Sequence, residues 1–531
     1  MMKVLVSDSL SEKGVAVLEE ADGIEADVNT GLTPEELKGI IGQYEGLIIR
    51  SATKVTSDII EAAHHLRVIG RAGIGLDNVD IPAASKRGIV VMNTPEGNTI
   101  TTAEHTVALM MSLSRNIPQA TASLKAGKWE KKKLEGRELF NKTLGLIGAG
   151  HIGRIVAERA KGLRMKVIVY DPYIKPEVIE KLDLEPVSLD ELLQRSDYIT
   201  IHTPRTEETK NLMNKNTLGK MKKGAMLINC ARGGIVNEED LFAALSTGHL
   251  GGAALDVFSK EPAGEIKLMG LPNFICTPHL GASTGEAQVN VAVAIAQQVA
   301  EFLTKGTIQS AVNAPSLAPD VLQVLRPFLD LAEKLGQLAA QLHREVPRTI
   351  EVLVRGDVAE RELGALSTAV LRGLLDRLLG VDVEYSVNYV NAPGIARDRG
   401  IRVITEASDD TVGYRDAIDV RVVAPSRTLK LQGAVFGGSR ARLTRIDDFF
   451  MEALPEGYIL MLHNRDMPGV VGNVGTLLGQ NRINIAGVEL GREQAGGMAI
   501  SLFHVDEAVS DDVLAHLRTL PHVVSADLLE L

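Results

Sequence analysis

The stretch Thr143 to Gly153, TLGLIGAGHIG, constrains this chain more than any other. An apolar run, Leu144 to Ile147, has the length of a short buried strand. Gly148, Gly150 and Gly153 follow at once in the spacing G-x-G-x-x-G. A helical stretch then runs from Arg154 to Leu163, and a second apolar strand, Lys166 to Tyr170, closes on Asp171. This is a complete β-α-β unit. Gly148 allows the tight turn out of the strand, Gly150 lets the backbone approach a pyrophosphate, and Gly153 lets the helix pack close on the sheet. The helix N-terminus offers free N–H groups and a positive dipole end to phosphates. Asp171 stands about 20 residues on, where a carboxylate accepts hydrogen bonds from a ribose diol. A 2′-phosphate there meets a like charge, and no Arg follows in Pro172-Tyr173-Ile174. The unit therefore predicts NAD rather than NADP.

A chain of 531 residues exceeds one hydrophobic core, so three or four domains are expected. The net charge of -11 argues against non-specific nucleic-acid binding. The two cysteines, Cys230 and Cys276, stand in neither a redox nor a metal-ligand spacing. No metal is expected, and a reducing cytoplasm fits. The N-terminus lacks a signal-peptide pattern, and no stretch reaches the ~18 to 20 apolar residues that span a bilayer.

Strand-like runs alternate with helical ones from the start: Lys3 to Asp8, Gly46 to Arg50, Leu66 to Arg71 and Val90 to Met92. After Asp171 the rhythm resumes with Asp197 to His202, Ala225 to Asn229, Gly252 to Val257 and Phe274 to Thr277. Such alternation predicts parallel sheets covered on both faces, with ligands just past strand C-termini. A long helix, Thr99 to Ser114, precedes the Gly-rich unit and bridges two lobes. A second, from about Thr284 to Leu303, returns the chain to the first lobe. Asn98, at the start of the bridging helix, suits either an N-cap or a substrate contact. From Ala311 to about Pro455, helical stretches (Val321 to His343, Glu362 to Leu379) precede strand-like runs (Ile401 to Thr405, Ala417 to Val423), with no legible catalytic signature. The tail, Tyr458 to Leu531, has the β-α-β-β-α-β order of a ferredoxin-like domain.

Arg232, Glu261 and His279 follow three successive strands of the cofactor lobe. Oxidising an alcohol by hydride transfer requires a group that takes the hydroxyl proton, and a histidine has the right ordinary pKa. A carboxylate at Glu261 would orient the ring, and Arg232 offers a planar fork for a substrate carboxylate. These three lie in CARGG, KEP and TPHLGAST, which resemble the Arg-Glu-His set of the D-2-hydroxyacid dehydrogenase family over Met1 to about Gly306. Within it, RSATKV (Arg50 to Val55), GRAGIGLDNVD (Gly70 to Asp80) and NTPEGNTITTAEH (Asn93 to His105) resemble the D-3-phosphoglycerate dehydrogenase branch. The middle section resembles the extra domain of its long-form members, and the tail resembles an ACT domain.

The resemblance implies NAD-dependent oxidation of 3-phosphoglycerate, the first step of serine synthesis, in a cytoplasmic homo-oligomer, tetramer or dimer. It implies two Rossmann-like doubly wound lobes, then an α+β intervening domain and the ACT domain. The expected division is 1–97 with 284–308 for the substrate lobe, 98–283 for the NAD-binding domain, 309–455 and 456–531. His279 would be the acid/base, Glu261 its partner and Arg232 the carboxylate anchor. Arg50, Arg71, Gly73, Ile74 and Asn98 would line the substrate side, with Ile74 offering its backbone N–H and reaching the cofactor as well. His151 and Ile152 would meet the pyrophosphate, Asp171 the ribose, and Thr203, Cys230, Ala231, Asp256, Gly281 and Ala282 the rest of the cofactor. Cys230 is read as a small lining residue, since hydride transfer needs no thiol. Lys131, beside Trp129, would reach a neighbouring subunit's substrate phosphate.

In the tail, Asn464 and Asp466 in HNRDMPG and Asn484 in NRINIAG match ACT effector positions and imply an amino-acid effector, L-serine. Asn and Asp before Pro-Gly are also common turn formers. A glyoxylate or hydroxypyruvate reductase would share the catalytic set, but its substrates carry no phosphate to explain Arg50 and Arg71. A non-catalytic nucleotide sensor would keep the glycines and have no need of His279.

Overall fold

The computed structural model describes residues 1–317, 319–343, 345–380, 385–410 and 413–531. Among these residues the strands form four sheets. The first holds β1 (Met2–Val6), β2 (Ile24–Val28), β3 (Gly46–Ile49), β4 (Val68–Arg71) and β5 (Val90–Asn93), in the order 2-1-3-4-5. All pairings are parallel. Val4, Val6, Ile48 and Val68 form one core face, and Leu5, Leu47, Ile49 and Ile69 the other. Strands buried on both faces read as continuous apolar runs, which is why they are legible. β2 (IEADV) is not, because as an edge strand it alternates apolar with acidic residues.

The second sheet holds β6 (Thr143–Ile147), β7 (Lys166–Tyr170), β8 (Glu185–Pro186), β9 (Tyr198–Ile201), β10 (Met226–Asn229), β11 (Gly252–Leu255) and β12 (Phe274–Cys276). Its order, 12-11-10-9-6-7-8, reverses direction between β6 and β9. Dinucleotides bind at such switch points, past the strand C-termini. The bridging helix, Thr99–Ser114, packs Ala103, Leu109, Met110 and Leu113 into this lobe's core. The helix Gly285–Lys305 returns Val291, Ile295, Val299 and Leu303 to the core of the first lobe.

The third sheet holds β13 (Thr349–Arg355), β14 (Arg402–Ser408), β15 (Ala417–Val423), β16 (Thr428–Phe436), β17 (Arg440–Ile446) and β18 (Phe449–Ala453), in the order 14-13-15-16-17-18. The expectation of helices followed by strands is corrected here: β13 lies between the helices Pro319–His343 and Leu363–Leu379. One face of this sheet is covered by those helices. The other carries Glu351, Arg355, Asp419 and Arg421, paired Arg355 with Asp419 and Arg421 with Glu351. The last sheet holds β19 (Tyr458–Arg465), β20 (Ile485–Arg492), β21 (Met498–Val505) and β22 (Val523–Glu530) in the order 20-21-19-22, the ferredoxin-like arrangement. Leu460, Leu462, Phe503 and Val505 face its own helices. Ile459, Met461, Ile500, Leu502 and Leu529 point the other way, into the core of the preceding domain.

Among the described residues no helix is long and apolar enough to cross a membrane. Nor does any group of His, Cys, Asp and Glu among them have the makings of a metal site.

Candidate active site

At the end of β6, Gly148 takes φ +95, and a Cβ there would lie 2.6 Å from the His202 carbonyl oxygen and 2.8 Å from Thr203 Cγ2. The loop after β6 therefore lies directly against the end of β9. Gly150 is the N-cap of a helix that begins at His151, three residues before the expected start. Gly153 sits inside its first turn, where a Cβ would come within 2.2 Å of the Gly148 carbonyl oxygen. A glycine-rich segment reads as loop from sequence, yet close helix-to-sheet packing requires glycine in this turn. His151 and Ile152 thus stand in that first turn, among the free N–H groups of the helix N-terminus. A Cβ on Gly150 would meet nothing within 4 Å.

Asp171 ends β7. Its Oδ2 accepts from the Ala149 amide (2.8 Å) and its Oδ1 from the amides of Tyr173 (2.9 Å) and Ile174 (3.1 Å). The carboxylate is thereby held beside the glycine loop. Thr203 Oγ1 is buried without a hydrogen-bond partner among the described residues, an arrangement a ligand hydrogen bond would resolve. Cys230 is buried, and burial pushes its thiol up to about 12, against the hydrogen bond with Thr106. It therefore lines the site as a neutral apolar group. An open glycine cradle, a helix N-terminus and a fixed carboxylate suit a dinucleotide.

The reactive edge is built on β10, β11 and β12. Asn229, at the end of β10, accepts from the Ala231 amide (3.0 Å) and donates to the Arg232 carbonyl (3.0 Å), folding the loop that projects Arg232. Past β11 stands Asp256, fully buried. It accepts from His105 Nε2 (3.2 Å), Thr277 Oγ1 (2.5 Å) and the amides of Leu280 (2.7 Å) and Gly281 (2.8 Å). Burial raises the Asp256 pKa, but the bonds from His105, Thr277 and Leu280 outweigh it and hold the carboxyl below its usual range. The segment Thr277 to Gly281 is so tightly tied that His279 adopts φ +56. Its Nδ1 lies 2.7 Å from Glu261 Oε2, while Glu261 Oε1 accepts from the Phe258 amide (3.0 Å). Glu261 therefore fixes the ring and directs Nε2 away from itself. Ala282 follows in the same loop, half-buried.

The first lobe supplies positive charge. Asp8, past β1, accepts from the Arg50 amide (2.6 Å) and from Thr53 Oγ1 (2.7 Å), shaping the loop after β3. Arg50 Nη1 donates to the Ser9 carbonyl (3.1 Å). Arg71, at the end of β4, is pushed down to about 10, first by burial and then by the Arg232 guanidinium, with Arg50 adding to the effect. It stays charged at neutral pH, and its buried Nε has no hydrogen-bond partner in the chain. The Gly73 amide donates to Thr94 Oγ1 (2.8 Å), and Asn93 Nδ2 donates to the Ile74 carbonyl (2.7 Å). Asn98 occupies the N-cap position of its helix but makes no capping bond, and its Oδ1 is buried without a partner. Its side chain is thus free of the capping role.

The structure therefore brings Arg50, Arg71, Arg232, His279 and Glu261 to facing ends of two sheets. Lys131 does not join them: it is exposed on a single 3-10 turn, Lys131–Lys133. In the last domain, Asn464 is buried, accepting from Ser501 Oγ (2.7 Å) and donating to the Arg465 carbonyl (3.0 Å). Asp466 pairs with Arg492 (3.2 Å), and Asn484 donates to Asp506 (2.7 Å). Sequence reasoning passed over Asp8, Asn93, Thr94, His105, Asn229 and Thr277. Their common signal is position, within two residues of a strand end or, for His105, on the bridging helix.

Residues 107–281 match the family model of the D-isomer specific 2-hydroxyacid dehydrogenase NAD-binding domain. Residues 324–447 match the D-3-phosphoglycerate dehydrogenase intervening domain, and 458–522 the ACT domain. The chain is 44% identical over 527 residues to a D-3-phosphoglycerate dehydrogenase of Synechocystis, covering 99% of this chain and 94% of that one. Identity to the enzyme of the same name from Archaeoglobus fulgidus is 42%, covering all of both chains. Among solved structures, NAD+-bound 3-phosphoglycerate dehydrogenase of Entamoeba histolytica is 33% identical, with a TM-score of 0.51 over 60% of this chain and 99% of that one.

Proposed function

This chain belongs to the D-3-phosphoglycerate dehydrogenase family, and we infer from that membership and from the cleft that it oxidises 3-phospho-D-glycerate to 3-phosphooxypyruvate with NAD, the first step of L-serine biosynthesis. The observation that carries the reading is the His279–Glu261 pair (2.7 Å) in one lobe, facing a cluster of guanidinium groups anchored in both. A substrate with a carboxylate and a phosphate requires several cations in one cleft. We assign Arg232 to the carboxylate, Arg50 and Arg71 to the remaining negative charge, and Asn98, Gly73 and Ile74 to the walls of the substrate side.

NAD would supply the hydride acceptor when bound, and the Gly148 to Gly153 loop, Asp171, Thr203, Cys230, Ala231, Asp256, Gly281 and Ala282 would hold it. His279 Nε2 takes the hydroxyl proton as the alcohol is oxidised. Glu261 accepts from Nδ1 and so keeps Nε2 as the atom that faces the substrate hydroxyl. The carboxylate of Asp171 favours a free ribose diol over a 2′-phosphate. The same chemistry run backwards makes His279 the acid for reduction.

The finer assignments rest on the tail and surface. We assign L-serine as the effector of the ACT domain, with Asn464, Asp466 and Asn484 at or near its site. Asp466 pairs with Arg492 (3.2 Å), and an effector ammonium group on Asp466 would compete with that pair. In a homo-oligomer, dimer or tetramer, exposed Lys131 would stand at a neighbour's cleft, and the two free cysteines fit a reducing cytoplasm. We divide the chain at 1–97 with 284–308, 98–283, 309–455 and 456–531, a division supported by the two long helices that cross between lobes.

The test is NADH formation from D-3-phosphoglycerate beside unphosphorylated D-glycerate, with and without L-serine. Activity with the phosphorylated acid alone is expected, reduced by serine. Activity without serine sensitivity would remove the effector assignment and leave the enzyme. No activity with the phosphorylated acid, but NADH-dependent reduction of hydroxypyruvate, would overturn the substrate and the roles of Arg50 and Arg71.

A further inference from the structure

Arg232 reaches out of its own lobe. Its Nε donates to Asp77 Oδ2 (3.2 Å), on the loop after β4 of the facing lobe, and its Nη1 donates to the Ala231 carbonyl (2.8 Å). The guanidinium lies against the backbone of Gly75, where a Cβ would come within 2.2 Å of Nη2. Among the described residues Asp77 is the carboxylate that pairs with Arg232.

The loop that carries Asp77 is anchored on both sides. Gly73 is tied to Thr94 and Ile74 to Asn93 (2.8 and 2.7 Å). Asn78 donates to the carbonyls of Arg50 (2.7 Å) and Thr53 (2.6 Å), and Asp80 Oδ1 caps the helix Ile81–Lys86 through the Ala83 amide (3.0 Å). The Asp77 side chain is 66% exposed while that of Arg232 is 28% exposed. An ion pair open to water adds little to stability. What it can supply is direction. The guanidinium groups of Arg232 and Arg50 both act on that of Arg71, and this repulsion favours Arg232 turning out to solvent. Asp77 and Asp8 are the opposing charges that act on Arg71. Asp8 is occupied with the Arg50 loop, which leaves Asp77 to hold Arg232.

We propose that Asp77 is a positioning residue for the reaction: by accepting the Nε–H across the cleft it fixes the plane and reach of the Arg232 guanidinium, so that the Nη edge meets the substrate carboxylate. The proposal rests on the reading of Arg232 as the carboxylate anchor. With Nε on Asp77, Nη2 and the second N–H of Nη1 remain for a bidentate bond. Asp77 therefore acts through Arg232 and does not compete with the substrate for it. The contact also links the lobes, so the fork takes its working direction only where the Gly73 to Asn78 loop stands opposite β10.

The test uses the full-length protein and four variants: D77N, D77E, R232Q and the double variant. D77N is expected to raise KM for D-3-phosphoglycerate by about tenfold or more, as misplacement of a positioning group does. Its kcat should change much less, and NADH affinity, read by fluorescence titration, should be unchanged. D77E should recover part of the loss, and D77N should add nothing in the R232Q background, the mark of two residues acting as one unit. The proposal is overturned if D77N leaves KM within about twofold of the parent, if it costs as much with R232Q as without, or if NADH affinity falls in parallel, as a merely structural loss would make it. If R232Q itself leaves KM unchanged, the anchor reading fails first, and that result is distinct from a silent D77N.

Discussion

At the scale of single residues, the proposed cofactor choice rests on Asp171. Both its oxygens are held by backbone amides, so it cannot turn away from an incoming ribose. Asp171→Ala should weaken NAD binding and narrow the preference over NADP, measured as the ratio of kcat/KM for the two cofactors. An unchanged ratio would remove Asp171 from the ribose. This residue was legible because its distance from the glycines and its place after an apolar strand both point to it. Asn98 was legible only as two roles that can coexist, and among the described residues it has no capping bond and a buried Oδ1 without a partner, which favours the substrate contact. Asp77 was not legible at all. Its partner lies 155 residues away, in the other lobe, and nothing local distinguishes it from an ordinary loop carboxylate.

Gly150 and Gly153, given different roles from the sequence, stand in different surroundings. Gly153 lies within a packed turn, where a Cβ would come within 2.2 Å of a backbone oxygen, while a Cβ on Gly150 would meet nothing within 4 Å. Gly153→Ala should therefore lower both thermal stability and NADH affinity, with overpacking costing about 1–3 kcal/mol. Gly150→Ala should leave the melting temperature alone and weaken NADH binding only. A Gly150 variant that also unfolds early would place that residue in the packing rather than at the ligand. The parallel strands of the first two sheets, β2 and β8 excepted, were readable as apolar runs because they are buried on both faces. β13 and β16 to β18 were missed because polar residues interrupt each run, Glu351 in β13, Lys430 and Gln432 in β16, Arg442 and Arg445 in β17 and Glu452 in β18.

At the scale of the molecule, the third and fourth sheets share one core. Ile459, Met461, Ile500, Leu502 and Leu529 of the ACT domain are buried with Leu335, Leu338 and Met451 of the domain before it. Sequence gave the ACT domain as a separate unit because its β-α-β-β-α-β order is complete; the alternate residues of β19 and β21 that face the other way show that it is docked. Leu502→Ala should cost about 2–5 kcal/mol. In calorimetry it should lower the transition of both C-terminal units together while NADH affinity stays unchanged. Two separate transitions, only one of them shifted, would show that the shared core does not couple them.

The second lobe holds His279 paired with Glu261, opposite Arg50 and Arg71 of the first. The direct test is His279→Asn, assayed for turnover of D-3-phosphoglycerate at saturating NAD alongside an NADH titration. The account predicts a loss of kcat of about 10² to 10⁴, the range for removal of a general acid/base, with NADH affinity nearly intact. Near-normal turnover would rule His279 out as the group that takes the hydroxyl proton.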